Sequence, residues 1–396
     1  VTTAMPETSV CHKYFKHALA PFNNARVKTL LSCSNALISG NKLTLTEIGR
    51  NLSGAVDVKH KIKRVDRFLK NTHLYNERVA IYEALAHPII DSLPMLAIAV
   101  DWSGACGHDY HLLRASLLVD GRSIVIYNMI VEQKDFDSPA TNSLFLDELY
   151  EVLGRHPSVY IVTDGGFLTP WYSKVRELGW HMIGRLRGSM KCKLAMQSQW
   201  HTLQQLRAGA SDIPKALGQA RLTQSSPTAC DAFLHVYHGK NKGRKGKSRF
   251  TKDTKMYQNL AKEPWLLATS DNTMTSKRVV GLYSKRMQIE QNFRDDKSLR
   301  YGFSWRFSKS TGINRIGILC LIATIASTAL WFIGCEAEKR KWHIKFQANS
   351  VKNRRVLSFL TLAKQVIKLC KRRITQSYIE KSLKNFILNY EKEAAG

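Results

Sequence analysis

The chain has 396 residues, of which 60 are Lys or Arg against 31 Asp or Glu, giving a formal net charge of +29 at pH 7; 44% of the residues are apolar. That length exceeds what one simple core organises, so two or three domains are expected, and the apolar share excludes a globally disordered chain. A surface this basic selects polyanions, nucleic acid first and an anionic membrane surface second.

Residues 1–90 read as helical. The opening VTTAMPETSVCHKYF has no apolar core, so no secretory leader is expected, and the eight cysteines form no CxxC or zinc-type spacing. They read as reduced cytosolic thiols. Val27, Leu30, Leu31 and Ile38 keep helical spacing, Gly40 breaks it, and Thr44 with Glu47 has the spacing of a capping box. In KHKIKRVDRFLK, Ile62, Val65 and Leu69 share one face while Lys59, Lys63, Arg64, Arg67 and Lys70 spread over the rest. That pattern suits a helix-turn-helix-like DNA-binding unit and a bundle helix with a solvated face equally well.

From Leu96 the period becomes two. LAIAVDW, HLLRASLLVD and RSIVIYNMI, with an Asp120-Gly121 turn, predict three antiparallel strands. A helix over Asn142–Leu153 leads to a strand, VYIVTD; a helix near Trp171–Arg176 leads to another, WHMIGRLR. Three antiparallel strands, a helix and a parallel strand form the order of a ribonuclease-H-like sheet. In that order Asp101 and Asp164 each end a strand.

Between Gly188 and Glu263 the pattern loosens into short strands around GKNKGRKGKSRFTKDTK, where Arg244, Lys245, Lys247 and Arg249 would lay cations along a DNA backbone. The run YSKRMQIEQNFRDDK then predicts one α-helix. At about 100° per residue, Tyr283, Arg286, Glu290 and Lys297 fall within roughly 60° of one another, beside an apolar stripe of Leu282, Ile289 and Phe293. The plain reading is a solvated face with an ordinary i,i+4 pair; the sharper one is a phenol, two cations and a carboxylate facing one ligand. Ile316–Cys335 is an uncharged run of 20 residues, long enough to span a bilayer. Its Gly317, Thr324, Ser327, Thr328 and Gly334, without a second such span, favour a buried helix. Lys339–Gly396 reads as a basic helical end, densest at Lys371, Arg372 and Arg373.

The Y-x2-R-x3-E-x6-K spacing resembles the signature of bacterial insertion-sequence transposases, DDE enzymes with a ribonuclease-H-like core. DWSG at Asp101, LRAS at Arg114, TDGGFLTPWY at Asp164, KEPWLLAT around Trp265 and FQANSVKNR at Phe346 look like one branch of that family, so the resemblance covers nearly the whole chain. It implies an α/β fold: a ribonuclease-H-like catalytic core over 91–188 and 265–336, interrupted by a mainly β insertion at 189–264 and flanked by helical regions at 1–90 and 337–396. It also implies that Asp101, Asp164 and Glu290 hold two Mg²⁺ ions, with Mn²⁺ as a substitute. Tyr283, Arg286 and Lys297 would grip the terminal phosphate of a DNA end, Arg185 and Arg187 would hold DNA nearby, and Trp265 would stack on a flipped base. The basic helix near Lys59 becomes, on the same ground, part of a DNA-binding domain. The partners implied are double-stranded DNA, as inverted-repeat ends and as target, and a second copy of the chain in a paired-end complex. The compartment is the bacterial cytoplasm, without a membrane. The rival readings are a structure-specific nuclease on the same core, a catalytically silent DNA-binding protein, and a basic membrane-associated protein.

Overall fold

The computed structural model describes residues 9–105, 109–224, 229–239, 263–300, 302–348, 350–351, 353–370 and 374–395. The chain forms two compact units, one built from Val1–Ser158 with Met287–Gly396 and one from Val159–Arg286.

The first unit opens with helices α1 (Ser9–Phe15), α2 (Asn24–Gly40), α3 (Leu45–Asn51), α4 (Val58–Leu69), α5 (Thr72–Asn76) and α6 (Arg78–Ile90). Asn23 caps α2 by accepting from the N–H groups of Ala25 and Arg26, and the helix ends at Asn41 in the left-handed region. Thr44 accepts from the Glu47 N–H at the start of α3, but the Glu47 carboxylate takes Asn51 Nδ2 at 3.3 Å, so only half of the expected capping box forms. Strands β1 (Leu96–Gly104), β2 (Tyr110–Leu117) and β3 (Ile124–Glu132) follow as the expected antiparallel meander, with Asp101 opposite Arg114 in the β1–β2 register. Leu96–Val100 are wholly buried, which is why β1 reads as a continuous apolar run. Helix α7 (Pro139–Leu153) starts on a Ser138 cap with Pro139 in its first turn.

The second unit contains β4 (Val159–Thr163), α8 (Thr169–Glu177), β5 (His181–Arg185), β6 (Lys191–Leu194), β7 (His201–Thr202), α9 (Leu203–Arg207), β8 (Lys215–Leu222), β9 (Cys230–Tyr237), β10 (Trp265–Thr269) and α10 (Ser276–Lys285). β4 and β5 are parallel; β10 lies antiparallel between β5 and β9, and β8 and β6 extend the sheet beyond β9. The strands of the segment read as an insertion therefore continue this unit's sheet through β10.

The first unit then resumes with α11 (Met287–Lys297), α12 (Ile313–Lys339), α13 (Phe359–Cys370) and α14 (Gln376–Ala395). The single helix expected over residues 283–297 is corrected here. It breaks at Arg286, whose N–H turns back to Tyr283 O at 3.0 Å and closes the last turn of α10 early. The two halves bury different surfaces. α10 buries Val279, Val280 and Leu282 and packs by β4, β5, β9 and β10, whereas α11 buries Ile289 and Phe293 and packs by β1.

The uncharged run lies in α12. Among the described residues it is the helix long and apolar enough to cross a membrane, and 89% of that apolar window is buried, packed by β3 and by α1, α2, α4, α5, α6, α13 and α14. Gly334 shows how close the packing is: a Cβ there would lie 2.2 Å from Phe359 O, so α13 approaches backbone to backbone.

Candidate active site

In the first unit the predicted groups come from β1 and α11. Asp101 is half-buried near the end of β1 and accepts from the Trp102 N–H at 2.9 Å. Two residues on, Ser103 lies on the same side of the strand. Its Oγ accepts from Lys297 Nζ at 2.7 Å, tying the last turn of α11 to the strand that carries Asp101. Glu290 is exposed, one helix face round from the buried Ile289 and Phe293.

The other side of α11 carries groups that sequence reading missed. Gln288 Nε2 donates to Val119 O at 2.7 Å and Asn292 Nδ2 donates to Ser123 O at 2.9 Å. Arg122 pairs with Asp295 at 2.8 Å and Arg114 with Asp296 at 2.7 Å, all four charges buried or nearly so. Burial pushes the Asp295 carboxyl above the usual carboxylate range, with the Arg122 guanidinium opposing the shift. The signal available was the doublet Asp295-Asp296 inside an otherwise amphipathic helix, a poor place for acids unless cations meet them.

In the second unit Asp164 follows β4 and is half-buried; its Oδ1 accepts from the Gly166 N–H at 2.8 Å in a tight Asx turn. Gly165 has a steric role that the sequence concealed: a Cβ there would lie 2.5 Å from Arg187 Cδ, so its hydrogen lets the Arg187 stem lie across the β4 loop. Arg185, 4% exposed on β5, donates to Glu263 O at 3.2 Å, while Arg207, not foreseen, pairs with the Glu263 carboxylate at 3.1 Å and donates to Leu186 O at 2.7 Å. Burial, and then the like charges of Arg187 and Arg207, pull the Arg185 guanidinium below its usual range. Tyr283 is 4% exposed, and burial raises its phenol above the ordinary value although Arg286 and Arg185 oppose the shift. It therefore stays a neutral O–H donor. The Arg286 guanidinium lies 5.9 Å from the Tyr283 ring centroid, and Trp265 meets the same ring edge-on at 4.8 Å. Trp265 keeps part of its surface exposed.

The basic face of α4 is where the periodicity put it. Lys59, Lys63, Arg64, Arg67 and Lys70 are exposed, with Val65 and Leu69 buried and Ile62 half-buried beneath. Lys70 pairs with Asp66 at 3.1 Å and Arg64 Nη2 donates to Thr29 Oγ1 at 3.1 Å. Arg244, Lys245, Lys247 and Arg249, and the cluster Lys371, Arg372 and Arg373, lie outside the described residues.

Among the described residues, no group of three or more His, Cys, Asp and Glu side chains is gathered as a metal cage. Magnesium ordinarily takes one or two carboxylates together with substrate phosphates, so the hard oxygen donors at Asp101, Asp164 and Glu290 fit it in kind. Residues 89–328 match the family model described as the transposase DDE domain. No curated protein gives a significant match to the chain.

Proposed function

The chain belongs to the DDE transposase family, enzymes of phosphoryl transfer in DNA transposition, and from that premise we propose that it is a cut-and-paste transposase of the branch found in the composite tetracycline-resistance transposon. Two copies bind the terminal inverted repeats in the bacterial cytoplasm. One strand at each end is hydrolysed, the freed 3′-hydroxyl attacks the opposite strand to leave a hairpin, a second hydrolysis reopens it, and the 3′ end joins target DNA. The core is read as ribonuclease-H-like, which the antiparallel β1–β3 meander and the parallel β4–β5 pair support.

The observation that carries this reading is the Lys297–Ser103 hydrogen bond, because it ties the last turn of the helix bearing Glu290 to the strand bearing Asp101. Asp101, Asp164 and Glu290 would hold Mg²⁺ or Mn²⁺, which when bound supplies Lewis acidity at the scissile phosphate. The remaining roles belong to the chain. Lys297 offers a point charge, Arg286 a guanidinium fork and Tyr283 a neutral hydroxyl, three donors suited to a terminal phosphate. Trp265 offers an indole face, and stacking on it offsets part of the cost of flipping a base. Arg185, Arg187 and the basic face of α4 hold the flanking duplex by its phosphates.

Cleavage of end-containing DNA with Mg²⁺ tests the reading. Glu290→Ala should retain binding and lose cutting by a factor on the order of 10³ or more; undiminished cutting would sink the assignment. A trapped hairpin product separates transposition from plain nuclease action, which makes none.

A further inference from the structure

Helix α11 is fastened along one side and carries its functional groups on the other. Gln288, Asn292 and Asp295 recur at helical spacing, and all three are bonded to the β2–β3 connection or to Arg122 within it. At about 100° per residue, Glu290 and Lys297 lie roughly 160–180° round the helix from Gln288. The fastening therefore sets the direction in which those two side chains project.

Arg114 joins this fastening to the opposite carboxylate strand. It is 2% exposed, faces Asp101 in the β1–β2 ladder, donates through Nε to Asn128 Oδ1 at 2.7 Å and through Nη2 to Asp296 at 2.7 Å. Buried ion pairs of this kind add little stability over apolar packing, and their best-attested use is to fix register. Two further atoms point to the same device. Arg114 Nη1 and Ser123 Oγ are buried with no hydrogen-bond partner among the described residues, and both residues line, with Asn292, Asp295 and Asp296, a cavity of about 20 Å³. One water needs roughly 10–15 Å³ and two to four polar partners, which this cavity provides.

We propose that Arg114 and Arg122, acting through Asp296 and Asp295 and one bridging water, are positioning residues that fix the rotation of α11 and so aim Glu290 and Lys297. The inference rests on the transposase reading of the site. Arg114→Lys keeps the charge but cannot serve Asn128, Asp296 and the water at once; Asp296→Asn keeps the shape and loses the charge. In the full-length chain, each should slow single-turnover cleavage of end DNA about 10–100-fold, as loss of outer-sphere support does, with DNA affinity changed no more than ~2-fold. The double variant should be no slower than the worse single one, since both break one device. Amide exchange across residues 287–297 should quicken while that of α12 holds. Losses that multiply in the double variant, or singles that cut within ~2-fold of the parent, would overturn the proposal. Where Arg114→Lys fails to fold, Arg122→Lys at the more exposed pair takes its place with the same expectations. Glu290→Ala run alongside keeps the two ideas apart. If it still cuts, the site reading fails, whereas unchanged exchange across 287–297 in Asp296→Asn overturns the positioning device whatever the activity.

Discussion

Arg114 and Arg122 in one unit, and Arg185 and Arg187 in the other, are buried or half-buried guanidiniums near predicted acids, but their surroundings differ. Arg114 meets Asp296 and Arg122 meets Asp295, one carboxylate to each cation. Arg185 and Arg207 instead converge on the single carboxylate of Glu263, and Arg187 presses on Arg185 by like charge. A matched pair satisfies itself and holds geometry; gathered cations hold a positive potential that an arriving polyanion relieves. One unit thus balances each buried cation with its own acid, and the other leaves positive charge in excess.

The most forceful way to break this comparison is to unbalance the matched side. Arg114→Met removes the cation paired with buried Asp296 and should cost about 3–5 kcal/mol of stability in urea unfolding, while Arg114→Met combined with Asp296→Leu should recover most of it. A single variant as stable as the parent would contradict the matched-pair view. Gly165→Ala should cost about 1–3 kcal/mol, because the new methyl meets the Arg187 stem. It should also weaken DNA binding by displacing that guanidinium, and a calorimetric scan with a binding isotherm reads both. On the gathered side, Arg187→Gln should leave stability intact or slightly raised, while the slope of log K against log salt shrinks by about 0.9. An unchanged slope would remove Arg187 from the DNA track.

The smallest effects in neutral buffer concern pH. Burial pushes the thiols of Cys230 and Cys335 up to about 11, and those of Cys33 and Cys192 up to about 12, from an ordinary 9.0. Above pH 9 the unfolded chain releases these protons and the native chain keeps them. Their contribution is therefore complete below pH 9 and is lost as pH rises through about 11 to 12. Lys364 runs the other way: burial pulls it down to about 8 from 10.5, so its penalty, present at neutral pH, fades between those values. Lys364→Met should raise the Tm at pH 7 and bring no gain above pH 10.5. Equal gains at both pH values would contradict a charge-burial penalty.

The elements that answer to local pattern were legible. β1 to β3 formed the expected meander, β4 and β5 appeared where VYIVTD and WHMIGRLR placed them, and Leu282, Ile289 and Phe293 are each buried, although on two helices and not one stripe. The helix break at Arg286 was not legible, since every residue from Tyr283 to Lys297 tolerates a helix and the break comes from two halves packing on different surfaces. The buried pairing of Asp295 and Asp296 was not legible because Arg122 and Arg114 lie far upstream in sequence. Gly165 reads as an ordinary turn glycine until the Arg187 stem is seen above it. Partner identity at long sequence separation leaves no trace in periodicity.

The phenol of Tyr390 has a consequence for synthesis. Its oxygen accepts from the Ala97 backbone N–H within β1, while Lys13 reaches Ile374 O and Tyr14 contacts Ser382. The strand that carries Asp101 emerges from the ribosome early, but its last contacts arrive with α14. Residues 159–286 are contiguous and can fold while translation continues; the unit built from two separate segments waits for the second of them. A nascent transposase is thereby denied a finished strand under Asp101 until the residues of α14 have been made.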